Sequence, residues 1–480
     1  MSTQTYIPDA FVQHIKNYLP EDMSLDSFLE YCQKPLRKSI RVNTLKISVS
    51  DFIEKMQQQD WIFTAIPWCE QGFWLERPEL QELHLPLGNT AEHLSGLFYI
   101  QEASSMLPPI ALLNDVMDKD LMVLDVAAAP GSKTTQIAAL MNNQGLIVAN
   151  EFSSSRLRYL AANIQRCGVS NTATSHFDGC IFGGWTPETF DAILLDAPCS
   201  GEGTIRKDPD ALKNWSLESI NDIADTQSRL LSSAFAALKS GGTMVYSTCT
   251  LNPLENQQAI LALLQQFPEA LEIIPLNDLF VGAEQSVSAE GFLHVWPQIF
   301  DSEGFFVAKL RKRCSVETKY VGSIRKNFPY APPSKKDLAE LSNYLLEQFG
   351  YSLNNEQQVY QRNEQYWLFP VLSKPLLDKI RFERIGIKLA EQHRKGFRLA
   401  HDAFIVLGSE FTKHRIELDQ QQLIQYYQGR DIPWPLTENM GEVGVYFQQQ
   451  PVGLVKALKG KLKNALPREL VRDNRLISWE

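Results

Sequence analysis

The sequence predicts an α/β fold built on a mostly parallel, doubly wound sheet. From about Leu121 to Leu310, short apolar runs alternate with longer amphipathic segments, which is the pattern of consecutive βαβ units. A turn of small residues follows the first of these runs directly, at the point where such sheets open to a ligand. The chain of 480 residues is long enough for roughly two to four domains. We expect an α+β domain before the sheet and a β-rich domain after it.

Each strand and helix of this sheet is predicted from its hydrophobic period. The expected strands cover residues 121–126, 146–149, 172–176, 190–195 and 243–246. The expected helices cover residues 132–141, 153–167 and 216–238. Gly241-Gly242, shortly after the last helix, is interpreted as the signal that ends it, because glycine is common just after the end of a helix. Two more strands, residues 292–296 and 304–310, are expected to pair antiparallel at the sheet edge.

Changes of pattern along the chain divide it into four predicted domains. They comprise residues 1–115, residues 116–315 with the sheet, a connector of residues 316–385, and residues 386–480. The last domain is predicted to be β-rich, with short strands expected around residues 398–407, 444–447 and 452–458.

The composition excludes several classes of protein. Hydrophobic residues make up 44% of the chain and charged residues 21%, which excludes a mainly disordered protein. No apolar run approaches the roughly 18 residues of a membrane helix, and the first residues lack the basic and apolar segments of a secretion signal. The seven cysteines form no CxxC pair. A zinc site and a disulfide framework are therefore not expected, and a reducing cytoplasm fits best.

The charge distribution allows a nucleic-acid partner despite an acidic total. The formal net charge is −10, which taken alone argues against such a partner. However, residues 374–398 hold eight basic and three acidic side chains, and residues 456–475 hold seven and two. These two basic clusters indicate contact with RNA phosphates, although solvated helix faces would have the same composition.

The turn after the first strand, Asp125–Thr134, is a candidate cofactor loop. It is not a P-loop, because Ser132 separates Gly131 from the lysine that follows. It also lacks the second and third glycines with which a dinucleotide loop approaches a pyrophosphate. Small residues and a tight turn still bring the backbone close to a ligand, although a turn that only caps the next helix is the simpler alternative.

Carboxylates follow the next strands of the predicted sheet. Glu151 ends the second strand and is placed to accept hydrogen bonds from ribose hydroxyls. Asp178 follows the third strand, where it could contact an adenine edge. A nucleoside without a pyrophosphate, held between carboxylates, indicates S-adenosylmethionine. Its cationic sulfur tolerates a nearby acid such as Asp125 or Asp196.

Two cysteines follow the ends of neighbouring strands. Cys199 follows the fourth strand and Cys249 the fifth, and because parallel strands end at the same edge, both thiols are expected to face the ligand pocket. A thiolate that adds to carbon 6 of a pyrimidine enables carbon 5 to attack a methyl group, and a second group is then needed for proton removal and elimination. Packing is the usual role of a single buried cysteine, but it explains a matched pair less well.

These motifs resemble those of the NOL/NOP/Sun family of RNA cytosine-5 methyltransferases. The resemblance covers about residues 36–310 and is carried by the segments Ile40–Thr44, Tyr99–Met106, Val123–Thr134, Asp196–Gly201 and Ser247–Thr250. It implies a class I methyltransferase sheet of Rossmann-like type, with S-adenosylmethionine as the cofactor. It also implies that Cys249 is the nucleophile and that Cys199 assists product release. Cytosine-5 DNA enzymes place the nucleophile in the Pro-Cys motif instead, so the Thr-Cys motif here favours RNA.

The resemblance also assigns the residues that bind the cofactor. They are Ala127, Ala128, Ala129, Pro130, Gly131, Ser132, Lys133, Glu151, Asp178 and Asp196. The family motif often begins with Cys where this chain has Ala127, a small change that leaves the assignment intact.

Within the family, the length and the tail resemble the bacterial members that methylate 16S ribosomal RNA. Those members end in a PUA-like RNA-binding module, which the segments Gly386–Gly408 and Pro451–Glu469 fit. The resemblance implies methylation of the cytosine at position 1407 in standard 16S numbering, within the 30S subunit. It makes residues 1–115 an RNA-binding accessory domain and residues 116–315 the catalytic domain. We expect a monomer, with no metal and no membrane partner.

Other interpretations stay open at this point. A NAD-dependent oxidoreductase would share the sheet, but it would need the missing glycines and would not need two thiols. A ribosome assembly factor could retain a degenerate methyltransferase domain without catalysis. A methyltransferase could also act on protein, on a small molecule, or on another site in ribosomal or transfer RNA.

Overall fold

In a computed structural model of the chain, the strands of the described residues form four sheets. The structure describes residues 5–21, 23–118, 120–318, 322, 328–354, 357–394 and 396–471. The end of the second basic cluster, residues 472–475, lies outside them. No helix in the described ranges is long and apolar enough to cross a membrane, and no three His, Cys, Asp or Glu side chains in those ranges are grouped as a metal ion would require.

The N-terminal region combines helices with an antiparallel sheet, as expected for an α+β domain. Its elements are α1 (Asp9–Ile15), α2 (Leu25–Gln33), β1 (Ser39–Val42), α3 (Val49–Gln57), β2 (Ile62–Ile66), β3 (Cys69–Glu76), α4 (Glu79–His84), α5 (Ala91–Leu94) and β4 (Phe98–Ile100). The strand order is β2-β3-β1-β4. Helices α1 and α2 contribute to a different core. Their Phe11 and Phe28 share a core with Leu251 and Trp296 of the next region.

The second region contains the large sheet. Its strands are β5 (Met122–Asp125), β6 (Leu146–Asn150), β7 (Thr172–Ser175), β8 (Phe190–Asp196), β9 (Leu238–Thr248), β10 (Leu271–Ile274), β11 (Leu293–Val295) and β12 (Phe305–Lys312). Strands β9, β8, β5, β6 and β7 lie side by side and parallel. Strand β12 pairs antiparallel with β9, and β10 and β11 pair antiparallel with β12. The predicted doubly wound fold and the antiparallel pair at its edge are therefore confirmed.

Helices cover both faces of this sheet. They are α6 (Leu107–Leu113), α7 (Ser132–Leu140), α8 (Ser154–Arg166), α9 (Phe182–Trp185), α10 (Leu217–Ala237), α11 (Gln257–Gln266) and α12 (Pro297–Phe300). Adjacent residues of a strand point to opposite faces, so Leu124 and Tyr246 belong to one core whereas Val123 and Val245 belong to the other. Burial on both faces explains why the strands appear in the sequence as continuous apolar runs.

The Gly241-Gly242 pair lies inside strand β9, so its predicted role as the signal that ends the helix is wrong, although the helix itself has nearly the predicted bounds. Helix α10 already ends at Ala237, and β9 starts at the next residue. The register of β9 against β8 slips across residues 239–242, so these residues form a bulge. Gly241 has a φ of 82°, a conformation that favours glycine. The glycines therefore serve a strand bulge, which is their other common role.

The described residues between 335 and 407, which comprise most of the connector and the start of the predicted last domain, form another antiparallel sheet with two α-helices. The elements are α13 (Lys335–Phe349), β13 (Gln358–Arg362), β14 (Gln365–Phe369), β15 (Arg384–Ile385), β16 (Ile387–His393), β17 (Gly396–Leu399) and α14 (His401–Leu407). The strand order is β13-β14-β16-β17, whereas β15 joins the large sheet beside β7. Most of the strand predicted near residues 398–407 is helix α14, because Ala403, Phe404 and Leu407 bury one helical face.

The described residues of the C-terminal region form a five-stranded sheet and one α-helix of 8 residues. The elements are β18 (Arg415–Glu417), α15 (Gln420–Tyr427), β19 (Ile432–Pro433), β20 (Gly441–Phe447), β21 (Gln450–Leu458) and β22 (Lys461–Asn464), with the strand order β18-β20-β21-β22-β19. The strands predicted at residues 444–447 and 452–458 are confirmed within β20 and β21. The predicted bounds between the four domains stay a prediction.

Candidate active site

A cavity of about 540 Å³ opens at the carboxyl ends of β5, β6, β8 and β9. Doubly wound sheets hold their ligands at this edge. Its wall joins the turn after β5, carboxylates that follow β6, β7 and β8, and two thiols. A cavity of about 620 Å³ lies elsewhere, beside Asn143 and Asn171, and is lined mainly by amide and apolar side chains. The candidate carboxylates Glu151, Asp178 and Asp196 and both candidate thiols line the cavity of about 540 Å³.

The turn after β5 is shaped by buried polar contacts. Asp125 ends the strand and accepts a hydrogen bond from Thr134 Oγ1 at 2.6 Å. Burial raises the pKa of Asp125 to about 7. Gly131, with a φ of 106°, precedes helix α7. Asp125 is thus turned into the protein, where it orders the turn, and it does not line the cavity.

Half of the candidate cofactor residues line the cavity: Ala127, Ala129, Glu151, Asp178 and Asp196. The others follow in the same turn and at the start of α7: Ala128, Pro130, Gly131, Ser132 and Lys133. Of these, Pro130 is exposed, and Lys133 reaches the cavity wall through its contact with Asp196.

Glu151 joins the turn to the end of β6. Its carboxylate accepts hydrogen bonds from the backbone N–H of Ala129 at 3.2 Å and of Ser153 at 2.8 Å. Only 3% of the residue is exposed. Asp178 is exposed and accepts a hydrogen bond from the backbone N–H of Cys180 at 2.9 Å. Each carboxylate oxygen has two acceptor directions, so both groups retain capacity for ligand hydroxyl or amino groups.

Lys133 extends away from the turn toward the end of β8. Its ammonium lies 2.6 Å from Asp196 Oδ2 and donates a hydrogen bond to Ser105 Oγ at 3.0 Å. The other oxygen of Asp196 accepts a hydrogen bond from Ser247 Oγ at 2.7 Å. The Lys133–Asp196 pair therefore links the N-terminal region, the turn and the strand that leads to Cys249.

The two thiols lie side by side on the cavity wall. The Sγ atoms of Cys199 and Cys249 are 3.2 Å apart. The contact with Cys249, burial and the nearby Glu255 carboxylate raise the pKa of Cys199 well above its usual range. Either sulfur can be the donor in this contact. A second thiol directly beside a nucleophilic one suits addition to a ring followed by departure.

Some cavity residues were not predicted. Phe152 follows Glu151 with 72% of its surface exposed, and Arg156 and Arg229 also line the cavity. Phe152 could have been found, because it directly follows a strand end that carries a candidate acid. Arg229 could not, because it comes from the middle of α10 and only the fold brings that helix beside the cavity.

Comparison with known families accounts for most of the chain. Residues 111–311 match the family described as 16S rRNA methyltransferase RsmB/F. Residues 7–103 match the N-terminal domain of 16S rRNA methyltransferase RsmF. Residues 330–407 match the pre-PUA domain of ribosomal RNA small subunit methyltransferase F, and residues 413–472 match the RsmF PUA domain.

Solved structures confirm the fold. A methyltransferase homolog protein from Pyrococcus horikoshii is 38% identical, with a TM-score of 0.51 over 60% of this chain and 90% of that one. NSun6 from Pyrococcus horikoshii, solved with SFG, is 23% identical, with a TM-score of 0.56 over 64% of this chain and 99% of that one. The second likeness concerns the fold alone.

Two curated relatives extend over nearly the whole chain. Ribosomal RNA small subunit methyltransferase F of Aeromonas salmonicida is 56% identical, and that of Photobacterium profundum is 53% identical; each match covers 99% of both chains. These matches confirm the predicted resemblance to RNA methyltransferases. They also show that the chain is an rRNA methyltransferase with a PUA RNA-binding domain. The chain belongs to the ribosomal RNA small subunit methyltransferase F family.

Proposed function

We propose that the chain transfers a methyl group from S-adenosylmethionine to carbon 5 of a cytosine in 16S ribosomal RNA through a covalent bond to Cys249. One observation carries the proposal: two thiols 3.2 Å apart share a cavity wall with carboxylates suited to a nucleoside. Methylation of an oxygen or an exocyclic nitrogen needs no such pair. Carbon 5 needs a nucleophile at carbon 6 and help with its departure.

The cavity fits S-adenosylmethionine in size and in lining. Its volume of about 540 Å³ lies within the range of small-molecule sites. Glu151 would bind ribose hydroxyls, and Asp178 and Phe152 would contact the adenine edge and face. Ala127 and Ala129 leave the backbone accessible because their side chains are small. When bound, the cofactor supplies a methyl group on a cationic sulfur.

In the proposed mechanism, Cys249 attacks as the thiolate and leaves as the thiolate. Its addition to carbon 6 makes carbon 5 nucleophilic. Once carbon 5 carries the methyl group, its proton passes to water, and the electron pair left behind re-forms the ring double bond and expels the Cys249 thiolate. Cys199 holds its proton beside the Cys249 sulfur. It stabilises the departing thiolate by donating this hydrogen bond, and so assists release.

The proposed substrate is the cytosine at position 1407 of the assembled 30S subunit. The C-terminal region supports an RNA partner, because Lys459, Lys461 and Lys463 are exposed along the β21–β22 hairpin. A chain that acts on ribosomal subunits would work in the cytoplasm, and we propose that it works as a monomer.

The test is methyl transfer with purified protein. Labelled S-adenosylmethionine is mixed with unmodified 30S subunits, with free 16S RNA or with transfer RNA, and the modified nucleotide is mapped. We expect label on carbon 5 of a single 16S cytosine, with 30S subunits as the better substrate. Label on a nitrogen or an oxygen would reject the thiol mechanism, and no transfer to any of the three would favour an assembly role.

A further inference from the structure

Two consecutive residues, Glu255 and Asn256, lie behind the thiols and are held among the residues that flank them. Both are fully buried, with 0% of their surface exposed. They follow the Cys249 loop and directly precede helix α11. We propose that the Glu255–Asn256 pair fixes the position of Cys199 relative to Cys249 and so places Cys199 for the release step. This inference rests on the proposed function, because it uses the release role of Cys199.

Glu255 holds the Cys199 loop from both sides of the cysteine. Its carboxylate accepts hydrogen bonds from the backbone N–H of Ser200 at 2.9 Å and from Ser200 Oγ. It also accepts a hydrogen bond from Gln227 Nε2 at 3.0 Å, and the same nitrogen donates to the carbonyl of Pro198 at 2.8 Å. The residues before and after Cys199 are therefore both fixed by Glu255, one of them through Gln227.

Asn256 holds the Cys249 loop in the same manner. Its Oδ1 accepts a hydrogen bond from Thr248 Oγ1 at 2.5 Å, and its Nδ2 donates to the carbonyl of Thr250 at 3.0 Å. These contacts lie directly before and after Cys249. A single side chain thus restrains the backbone on both sides of the proposed nucleophile.

Direct contacts also join the Cys199 loop to the Cys249 loop. Ser200 Oγ lies 2.8 Å from Thr250 Oγ1, and Tyr246 donates its hydroxyl hydrogen to the carbonyl of Glu255 at 2.6 Å. One peptide bond connects Glu255 to Asn256, so a displacement of one thiol loop is transmitted to the other. The 3.2 Å sulfur–sulfur distance is therefore a property of this network as much as of the strands.

The charge of Glu255 supports the same role. Burial raises the pKa of Glu255, opposed by the hydrogen bonds from Ser200. After the contact with Cys249 and burial, the Glu255 charge is a further cause of the raised pKa of Cys199. A carboxylate at this place favours the protonated thiol, which is the form that can donate a hydrogen bond to a departing sulfur.

The test is Glu255→Gln, which keeps the size of the side chain but removes its charge and replaces one of its two acceptor oxygens with a donor NH2 group. We expect protein–RNA adduct that carries methylated cytosine and survives denaturing electrophoresis, because attack proceeds and release is slowed. Release should fall on the order of tenfold to a hundredfold, the effect of small misplacements at reacting centres. The dissociation constant for RNA should not change, whereas the apparent KM should fall together with kcat because the adduct accumulates.

Three further variants make this result decisive. Ser200→Ala removes one hydroxyl from the network, so it should accumulate less adduct than Glu255→Gln. It also replaces Glu255→Gln as the test if that variant does not fold. Leu263→Ala, at a buried position of helix α11, which follows the pair, should lower the melting temperature without adduct. The Glu255–Asn256 pair would have only a structural role if Glu255→Gln and Ser200→Ala both lost turnover without forming adduct. The same would follow if both variants released product at the wild-type rate. Free methylated product without adduct from Cys199→Ala would instead overturn the release role of Cys199 on which this inference rests, and no methyl transfer to carbon 5 by the wild-type protein would overturn the proposed function.

Discussion

The cavity has a cofactor half and a thiol half, and the two are built differently. In the cofactor half, Glu151 holds the turn through two backbone N–H groups, and its other acceptor directions remain for a ligand. In the thiol half, Glu255 and Asn256 use their polar atoms to hold the two loops. The cofactor half therefore depends on groups that would contact a ligand directly. In the thiol half, the arrangement of the two cysteines depends on Glu255 and Asn256, which are not part of the cavity wall.

The largest effect is expected from Cys249→Ser. A hydroxyl is a far weaker nucleophile than a thiolate, so methyl transfer should fall to background. If the two halves are separate, cofactor affinity measured by calorimetry should stay at the wild-type value. Turnover near wild type would remove Cys249 from the nucleophile role, and a large loss of cofactor affinity would show that the halves are coupled.

Cys199→Ala should stop the reaction at a later point. Attack by Cys249 does not require the Cys199 thiol, but departure does, so methylated RNA should stay bonded to the protein. Denaturing electrophoresis with labelled RNA detects this adduct, and the variant that lacks both thiols is the control without it. Free methylated product at the wild-type rate would leave Cys199 as a small packing residue beside the cofactor.

Glu151→Ala tests the cofactor half alone. Loss of charge-assisted hydrogen bonds to the ribose should weaken S-adenosylmethionine binding by about 1.5–3 kcal/mol. Saturating cofactor should then restore most of the turnover, because the thiol loops are held elsewhere. Glu151→Gln, which retains one acceptor oxygen, should lose less affinity. Unchanged affinity in the alanine variant would mean that the ribose is held by another group.

The smallest effect on the chemistry is expected from the tail. Replacing Lys459, Lys461 and Lys463 with Ala should weaken RNA binding and flatten its salt dependence by roughly two units of logarithmic slope, because each phosphate contact releases counterions. Lys461 should contribute least, since its ammonium lies 2.7 Å from Asp431. Single-turnover rates at saturating RNA should not change. A salt slope identical to wild type would mean that this hairpin does not touch RNA.

Much of the large sheet could be predicted because its signals are local. Residues 122–125 and 190–196 are buried on both faces and appear as apolar runs, and the placement of Cys199 and Cys249 at one edge follows from parallel strands alone. The distance between their sulfurs could not be predicted, because it depends on Glu255 contacting Ser200 across 55 positions. Pairings of that separation leave no periodic signal in a single sequence.

The predictions from sequence were wrong where a residue type is common in two kinds of secondary structure. Gly241-Gly242 is a helix-end signal in one context and a strand bulge in another, and only the register against β8 decides between them. Residues 401–407 contain β-branched and aromatic side chains that favour a strand, but packing against β16 and β21 selects a helix. In both cases tertiary contacts outweighed local propensity.

The short strand β15 has a consequence for solubility. Arg384 and Ile385 pair with Thr174 and Ala173 at the outer edge of β7, so the connector covers backbone groups that would otherwise be free to pair with another chain. A fragment that ends at residue 315 would uncover this edge. We expect it to self-associate in light-scattering measurements under conditions that keep the full chain dispersed. The region that joins catalysis to RNA binding is thus also the element that protects the catalytic sheet from aggregation.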